Sequence, residues 1–136
     1  MKLSQPAGGG APNKGLANSP LSYPGKVHAD PSGAPRLFVA DTGHHRILVV
    51  DKNDGRVLAA YGSPAGEPGF EDGAAVTARF SSPQGLCASR DGKMLYVCDT
   101  DNHAVRAIDL DKGAVATLAG NGKFFYVLII WVVKLY

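Results

Sequence analysis

Two stretches of this chain share one pattern: LFVADTGHHRILVVDKNDGRVLAAYG (37–62) and LYVCDTDNHAVRAIDLDKGAVATLAG (95–120). They align at a constant offset of 58 residues over 26 positions without a gap, and nine positions are identical. Each stretch holds short runs rich in β-branched and aliphatic residues about ten residues apart, separated by Gly, Asp and Asn. Such spacing is typical of antiparallel strands joined by tight turns. The chain is therefore expected to contain an internal repeat of all-β structure.

Upstream of each copy lies one more run, in SYPGKVHADPSG (22–33) and SSPQGLCASRDG (81–92), which align after a one-residue slip. Each unit then has four predicted strands in about 40 residues, the length of a β-propeller blade. The fold class predicted is all-β, a partial propeller of two four-stranded antiparallel blades. The predicted divisions are a disordered Gly/Pro/Ala-rich leader (1–20), blade 1 (21–62), a polar connector anchored by Phe70 and Phe80 (63–81), blade 2 (82–120) and an atypical hydrophobic tail (121–136).

Charge argues against nucleic acid as a partner. The net charge of +2 comes from the two ends, which hold four lysines and no acid, while residues 21–122 hold ten basic and twelve acidic residues. A nucleic-acid binder usually carries a basic stripe on its folded body. The two cysteines, Cys87 and Cys98, have no metal-ligand or redox spacing, and their apolar surroundings predict buried free thiols.

The paired stretches resemble the NHL repeat, and the connector EDGAAVTARFSSPQGL (71–86) resembles the linker of one NHL subgroup. In that subgroup, with members in animals and in plant chloroplasts, the propeller follows a thioredoxin-like domain. The resemblance covers residues 20–122 and implies a β-propeller, commonly a closed ring of six blades. It implies no cofactor and no redox activity here, because a C-x-x-C pair is lacking. Chloroplast and cytoplasm both stay open as locations.

The sequence after Gly122 departs from the repeat. Phe124 to Val133 is an unbroken run of ten apolar or aromatic residues, whereas a membrane-spanning helix needs about 20. We therefore expect no membrane span. The abrupt change of composition suggests a tail unrelated to the repeat, such as read-through of an intron or a mispredicted exon.

The two adjacent histidines invite a metal-site hypothesis, which the repeat weakens. His45 recurs as His103, but His44 is replaced by Asn102, a change that suits a turn and not a metal ligand. Asp41 and Asp99 end their strands, where a carboxylate can accept hydrogen bonds from the next backbone N–H groups. We interpret six residues as structural turn formers rather than catalytic or metal-binding groups: Asp41, Thr42, His45, Asp99, Thr100 and His103.

Four other residues near these turns are candidates for binding a partner, since loops between strands crowd one rim of a propeller. They are expected to be exposed: His44, Arg46, Asn102 and Arg106. A solvated role without a partner is the simpler alternative.

The function predicted from the sequence is a non-catalytic NHL scaffold that binds protein, a piece of a larger thioredoxin–NHL protein. The alternative is a part of a redox or lyase enzyme whose catalytic residues lie elsewhere. Because each blade has faces that only a neighbour can cover, identical chains are also candidates to assemble and complete the ring.

Overall fold

The computed structural model describes residues 20–123, which form nine β-strands in two antiparallel sheets. The prediction of an all-β fold is confirmed. The leader prediction for residues 1–19 and the tail prediction for residues 124–136 lie outside the described residues. Within residues 20–123, no helix is long and apolar enough to cross a membrane.

Blade 1 is a four-stranded sheet in which each strand pairs with the next along the chain. Its strands start and end within two residues of the runs seen in the sequence, because Gly, Pro, Asp and Asn interrupt the extended backbone at each end. They are β1 (Pro24–Ala29), β2 (Arg36–Asp41), β3 (Arg46–Asp51) and β4 (Val57–Gly62).

Blade 2 repeats this order and gains a fifth strand from the segment predicted to be a polar connector. Residues 73–74 of that segment form β5, which pairs with the outermost strand of blade 2, and Glu71 forms an isolated bridge with Arg79. The strands are β5 (Gly73–Ala74), β6 (Pro83–Ala88), β7 (Met94–Asp99), β8 (Ala104–Asp109) and β9 (Ala114–Ala119).

The two sheets stack so that one face of each is in contact with the other. We call the face of blade 1 that carries Phe38, Ala40, Ile47, Val49 and Tyr61 its front face, and the face that carries Leu37, Val39, Leu48 and Val50 its back face. The front face of blade 1 packs on the back face of blade 2, which is made of Leu86, Leu95, Val97, Ile108 and Val115. Each blade thus presents a different face to its neighbour, and the back face of blade 1 belongs to a second buried cluster that includes Val39, Leu48 and Val50.

The connector reaches into this core between the blades. Phe80 is fully buried there, together with Ala78, whereas Phe70 is partly exposed. The prediction that Cys87 and Cys98 are buried is wrong, since both are exposed. Both lie on the front face of blade 2, where the described residues place no second sheet.

Candidate interaction surface

Each β2–β3-type connection is a single 3₁₀ turn closed by a histidine in left-handed conformation. The turn of blade 1 spans Thr42–His44 and is followed by His45 with φ 52°. The turn of blade 2 spans Thr100–Asn102 and is followed by His103 with φ 50°. A residue other than glycine is strained at such φ values. The same strained geometry in both blades therefore indicates that the turn is a constant part of the repeat.

Asp41 joins the residues before β1 to the connection between β2 and β3. One of its carboxylate oxygens accepts a hydrogen bond from the backbone N–H of Ser22 at 2.7 Å, 19 residues earlier in the chain. The other accepts from Arg46 Nε at 2.7 Å and lies 3.0 Å from His44 Nδ1. The expectation that Asp41 binds the backbone N–H groups that follow it is therefore wrong, because one carboxylate oxygen accepts from a residue before β1 and the other contacts the side chains of Arg46 and His44.

Asp99 repeats this role in blade 2. It accepts hydrogen bonds from the Ser81 N–H at 2.7 Å, from Asn102 Nδ2 at 2.8 Å and from Arg106 at 2.7 Å. Burial raises the pKa of Asp99 above its ordinary value, and the three hydrogen bonds and the charge of Arg106 oppose this rise without cancelling it. The Asx-turn geometry is instead made by Asp51 and Asp109, whose carboxylates accept from backbone N–H groups two residues ahead.

The two arginines are buried, and the prediction that they are exposed is wrong. Arg46 is 1% exposed and Arg106 is 0% exposed. Each pairs with the strand-end aspartate of its own blade, because a guanidinium is tolerated in a core only beside a carboxylate and other acceptors. A buried guanidinium offers no surface to an outside partner, so neither arginine can form an exposed binding patch.

The cation occupies a different position in each blade. Arg46 stands directly opposite Asp41 across the β2–β3 pair, but the residue opposite Asp99 is Ala104. Blade 2 places its arginine two residues later, at Arg106, which lies on the same face as Ala104. Two sequence positions thus supply the same ion pair, which explains why the offset of 58 does not align the arginines.

Arg106 also holds the connector against blade 2. It donates to the carbonyl oxygens of Glu71 at 2.6 Å and Arg79 at 2.8 Å, and to the carboxylate of Asp72 at 2.8 Å. Its guanidinium lies 5.0 and 5.1 Å from the ring centres of Phe70 and Phe80, within the range of cation–π attraction.

Asp72 in turn binds the outermost strand of blade 2. Its carboxylate accepts hydrogen bonds from the backbone N–H and the hydroxyl of Thr117. Partial burial acts to raise the pKa of Asp72, but these bonds and Arg106 outweigh it and lower the pKa below its ordinary value. Asp72 is therefore held as a carboxylate between the connector and β9.

Hydrogen bonds cross from blade 1 to blade 2 at the turn. The hydroxyl of Thr42 donates to the carbonyl of Pro83 at 2.7 Å. The backbone N–H of Ser82 donates to Nδ1 of His45 at 2.9 Å, so that nitrogen acts as an acceptor and carries no proton. These bonds give both residues a place in the contact between the blades, which the sequence alone did not indicate.

The remaining two predicted partner residues lie apart, one at each turn. The His44 side chain is 25% exposed, whereas Asn102 is buried and donates to the carbonyl of Gly69 at 2.7 Å. Within residues 20–123, no three His, Cys, Asp or Glu side chains are grouped so that they could hold a metal ion.

The front face of blade 2 is an exposed apolar surface, and the sequence did not indicate which residues form it. Tyr96 is 37% exposed, and Cys87 stands opposite it across the β6–β7 pair. Cys98 lies two residues along the same strand, against Gly85. Partial burial, with a smaller contribution from Cys87, raises the pKa of the Cys98 thiol. The offset of 58 pairs Tyr96 with Phe38 and could have shown that Tyr96 occupies a contact position.

The back face of blade 1 contains a cavity of about 370 Å³. Its apolar walls come from the first three strands and the residues before them, with Lys26 as the charged member. The lining residues are Leu21, Pro24, Gly25, Lys26, Val27, Leu37, Val39 and Val50.

Comparison with known proteins agrees with this geometry. Residues 80–108 match the family model of the NHL repeat, so the two stacked antiparallel sheets are propeller blades and the chain carries an NHL repeat. Over 107 residues it is homologous to NHL repeat-containing protein 2, with 50% identity to the Gallus gallus protein and 48% to the Homo sapiens protein. Arabidopsis thaliana SUPPRESSOR OF QUENCHING 1, a chloroplastic protein, is 48% identical over the same length.

These alignments cover 79% of this chain but only 14% of the animal proteins and 10% of the Arabidopsis protein. Among solved structures, an auxiliary nutrient binding protein from Bacteroides thetaiotaomicron is similar, with a TM-score of 0.57 and 27% identity. That alignment covers 74% of this chain and 27% of the other. The chain thus corresponds to a small part of each relative.

Proposed function

We propose that this chain is a non-catalytic NHL-repeat module that binds protein, and that it corresponds to part of the propeller of a thioredoxin–NHL protein. The observation that carries the proposal is the exposed front face of blade 2, where Tyr96 and Cys98 stand in the positions that Phe38 and Ala40 of blade 1 use for packing. A sheet face with exposed aromatic surface is typical of an interaction site.

The engagement of the polar turn residues supports a scaffold over an enzyme. Asp41, Asp99 and both arginines are buried in ion pairs and hydrogen bonds that connect strands and connector. A general acid or base needs a carboxylate within reach of a substrate proton, and these carboxylates face other parts of the chain.

Site-specific photo-crosslinking tests the proposal. A benzoylphenylalanine residue replaces Tyr96 in the full chain, which is then irradiated in an extract of the cells that express it. Val76, an exposed apolar residue of the connector, carries the same probe in the matched control. We expect several-fold more protein adducts at position 96 than at position 76. Equal yields at the two positions would contradict a binding role for the front face of blade 2.

A further inference from the structure

We propose that Asn121, two residues beyond the end of β9, is a site of spontaneous deamidation that the folded chain promotes. In this reaction the side-chain amide is lost as ammonia, and aspartate or isoaspartate takes the place of asparagine. Asparagine is one of the thermolabile residue types of proteins. The inference goes beyond the proposed function and does not depend on it, because the reaction needs no partner and no feature of the sheet faces.

The sequence around Asn121 favours this reaction. The peptide nitrogen of the next residue must reach the side-chain carbon Cγ of the asparagine, and a Cβ atom on that next residue hinders the approach. Glycine has no Cβ atom and adopts conformations that other residues avoid. Of the five asparagines in the chain, only Asn121 precedes a glycine, since the other four precede Lys14, Ser19, Asp54 and His103.

The folded turn brings the reacting atoms together. The backbone N–H of Lys123 donates to the side-chain oxygen of Asn121 at 3.1 Å, a hydrogen bond that defines an Asx-turn. Such a turn places Cγ close to the peptide nitrogen of Gly122, and fixed proximity lowers the barrier to an attack within one molecule. The same hydrogen bond withdraws electron density from Cγ. Asn121 and Gly122 are both exposed, so hydroxide can remove the proton of the peptide N–H.

Packing on both sides holds this turn in position. Before it, Gly120 lies directly against the backbone of His103 and Ala104. Within it, Gly122 has φ +75°, and any side chain there would meet a ring carbon of Phe70 at 2.8 Å. Both the backbone conformation and the close contact therefore require glycine at position 122, and glycine is also the residue that leaves the attacking nitrogen unhindered.

The atoms of the reaction balance with water as the only co-reactant. The peptide nitrogen of Gly122 loses its proton and forms a bond to Cγ of Asn121, while the bond from Cγ to Nδ2 breaks and ammonia leaves. Water then opens the resulting cyclic imide. Cleavage of the bond between the Gly122 nitrogen and Cγ gives aspartate. Cleavage of the bond between this nitrogen and the main-chain carbonyl carbon gives isoaspartate, whose backbone is longer by one carbon atom.

Isoaspartate at position 121 changes the contact of the connector with blade 2. The longer backbone shifts Gly122 relative to the Phe70 ring, which lies 5.0 Å from the Arg106 guanidinium. In the same segment the backbone N–H of Gly69 donates to the Phe80 carbonyl at 3.0 Å. We therefore expect this amide hydrogen to exchange several-fold faster in the isoaspartyl chain than in the unreacted chain. Equal exchange in the two forms contradicts this coupling.

Two other asparagines within residues 20–123 serve as references in the same molecule. Asn53 is exposed but precedes Asp54. Asn102 is buried, and its Nδ2 donates to the carbonyl of Gly69 at 2.7 Å and to Asp99 at 2.8 Å. A reaction at Asn102 breaks both of these bonds, so we expect it to be the slowest of the three.

Peptide mass spectrometry of the full 136-residue chain, incubated at pH 8 and digested at intervals, tests the inference. We expect conversion at Asn121 to be several-fold faster than at Asn53, with isoaspartate among the products, and to be several-fold slower at pH 6. Each conversion lowers the formal net charge of +2 by one, so ion-exchange chromatography separates the products from the unreacted chain. Equal rates at Asn121 and Asn53 overturn the inference.

A matched pair of variants isolates the contribution of the fold. Lys123→Pro removes the N–H that holds the Asn121 side chain, because proline has no backbone N–H, whereas Lys123→Ala changes the same side chain and keeps the hydrogen bond. Conversion should be several-fold slower in Lys123→Pro than in Lys123→Ala, which should match the wild-type chain. A free peptide of residues 118–123 should react no faster than the folded chain. Equal rates in the two variants, or a peptide that reacts many-fold faster than the chain, show that the fold does not promote the reaction and overturn the inference.

Discussion

Removal of the guanidinium from blade 2 should destabilise the whole chain. In Arg106→Leu, the substituted residue matches Leu48, its counterpart in blade 1, so its size and polarity suit the face. Asp99, however, loses its cation while it stays fully buried. Loss of one partner of a buried ion pair costs about 3–5 kcal/mol. We expect a decrease of that size in the free energy of unfolding at pH 7, measured by urea denaturation followed by circular dichroism.

The geometry of the ion pair in blade 1 suggests a second substitution that should restore part of the lost stability. Ala104 lies opposite Asp99 as Arg46 lies opposite Asp41, so Ala104→Arg/Arg106→Leu gives blade 2 the ion pair of blade 1. This double variant should recover about half of the loss, roughly 2 kcal/mol, because the bonds of Arg106 to the connector stay broken. If the single variant is unfolded, Asp99→Asn/Arg106→Met serves instead and should be more stable than Arg106→Leu.

The cost of Arg106→Leu should also depend on pH. The pKa of Asp99 is already raised in the folded chain, and loss of the cation raises it further. A raised carboxyl pKa favours the folded state at low pH, so the cost should shrink between pH 7 and pH 5. A cost below about 1 kcal/mol at pH 7, or a double variant no more stable than the single one, would refute the role assigned to the pair.

Two further predictions concern the turn glycines and the connector. Gly120→Ala places a side chain against the backbone carbonyl of His103 at φ +87° and should cost about 3 kcal/mol of unfolding free energy. The control Gly113→Ala, whose φ is +64° in open space, should cost about 1 kcal/mol. Equal losses would show that backbone strain alone decides. Asp72→Asn should weaken the decrease in unfolding free energy at acid pH, because the lowered pKa of Asp72 stabilises the fold above the ordinary value of 3.8 and that contribution is lost as pH falls through the pKa of the folded state. Chemical denaturation from pH 6 to pH 2 measures this dependence. An unchanged slope would contradict the ionised state of Asp72.

The strands could be predicted from the sequence because each is delimited by residues that interrupt extended backbone. The burial of Arg46 and Arg106 could not be predicted in the same way, since charged side chains are rarely buried. A signal was nevertheless available: each arginine lies in a strand at the period of two that its buried apolar neighbours follow, and a strand-end aspartate lies on the same face. That combination of alternation and a facing carboxylate indicates a buried ion pair.

The exposure of the cysteines was missed for a different reason. An apolar strand predicts burial on both faces, and β7 has apolar side chains on both. The prediction assumed a neighbouring sheet on the front face of blade 2. The sequence of a strand indicates whether its side chains favour burial, whereas burial itself depends on whether another sheet packs on that face.

The short strand β5 has a consequence for how the two blades fold. Repeat units usually contribute to stability almost independently, since each contacts only its neighbours. Here residues 73–74 of the connector pair with the last strand of blade 2, while Arg106 of the same blade donates a hydrogen bond to the connector at Glu71. The outer edge of blade 2 is therefore complete only after the middle of the chain has docked. This closure makes the two repeats one cooperative unit, which should unfold in a single transition.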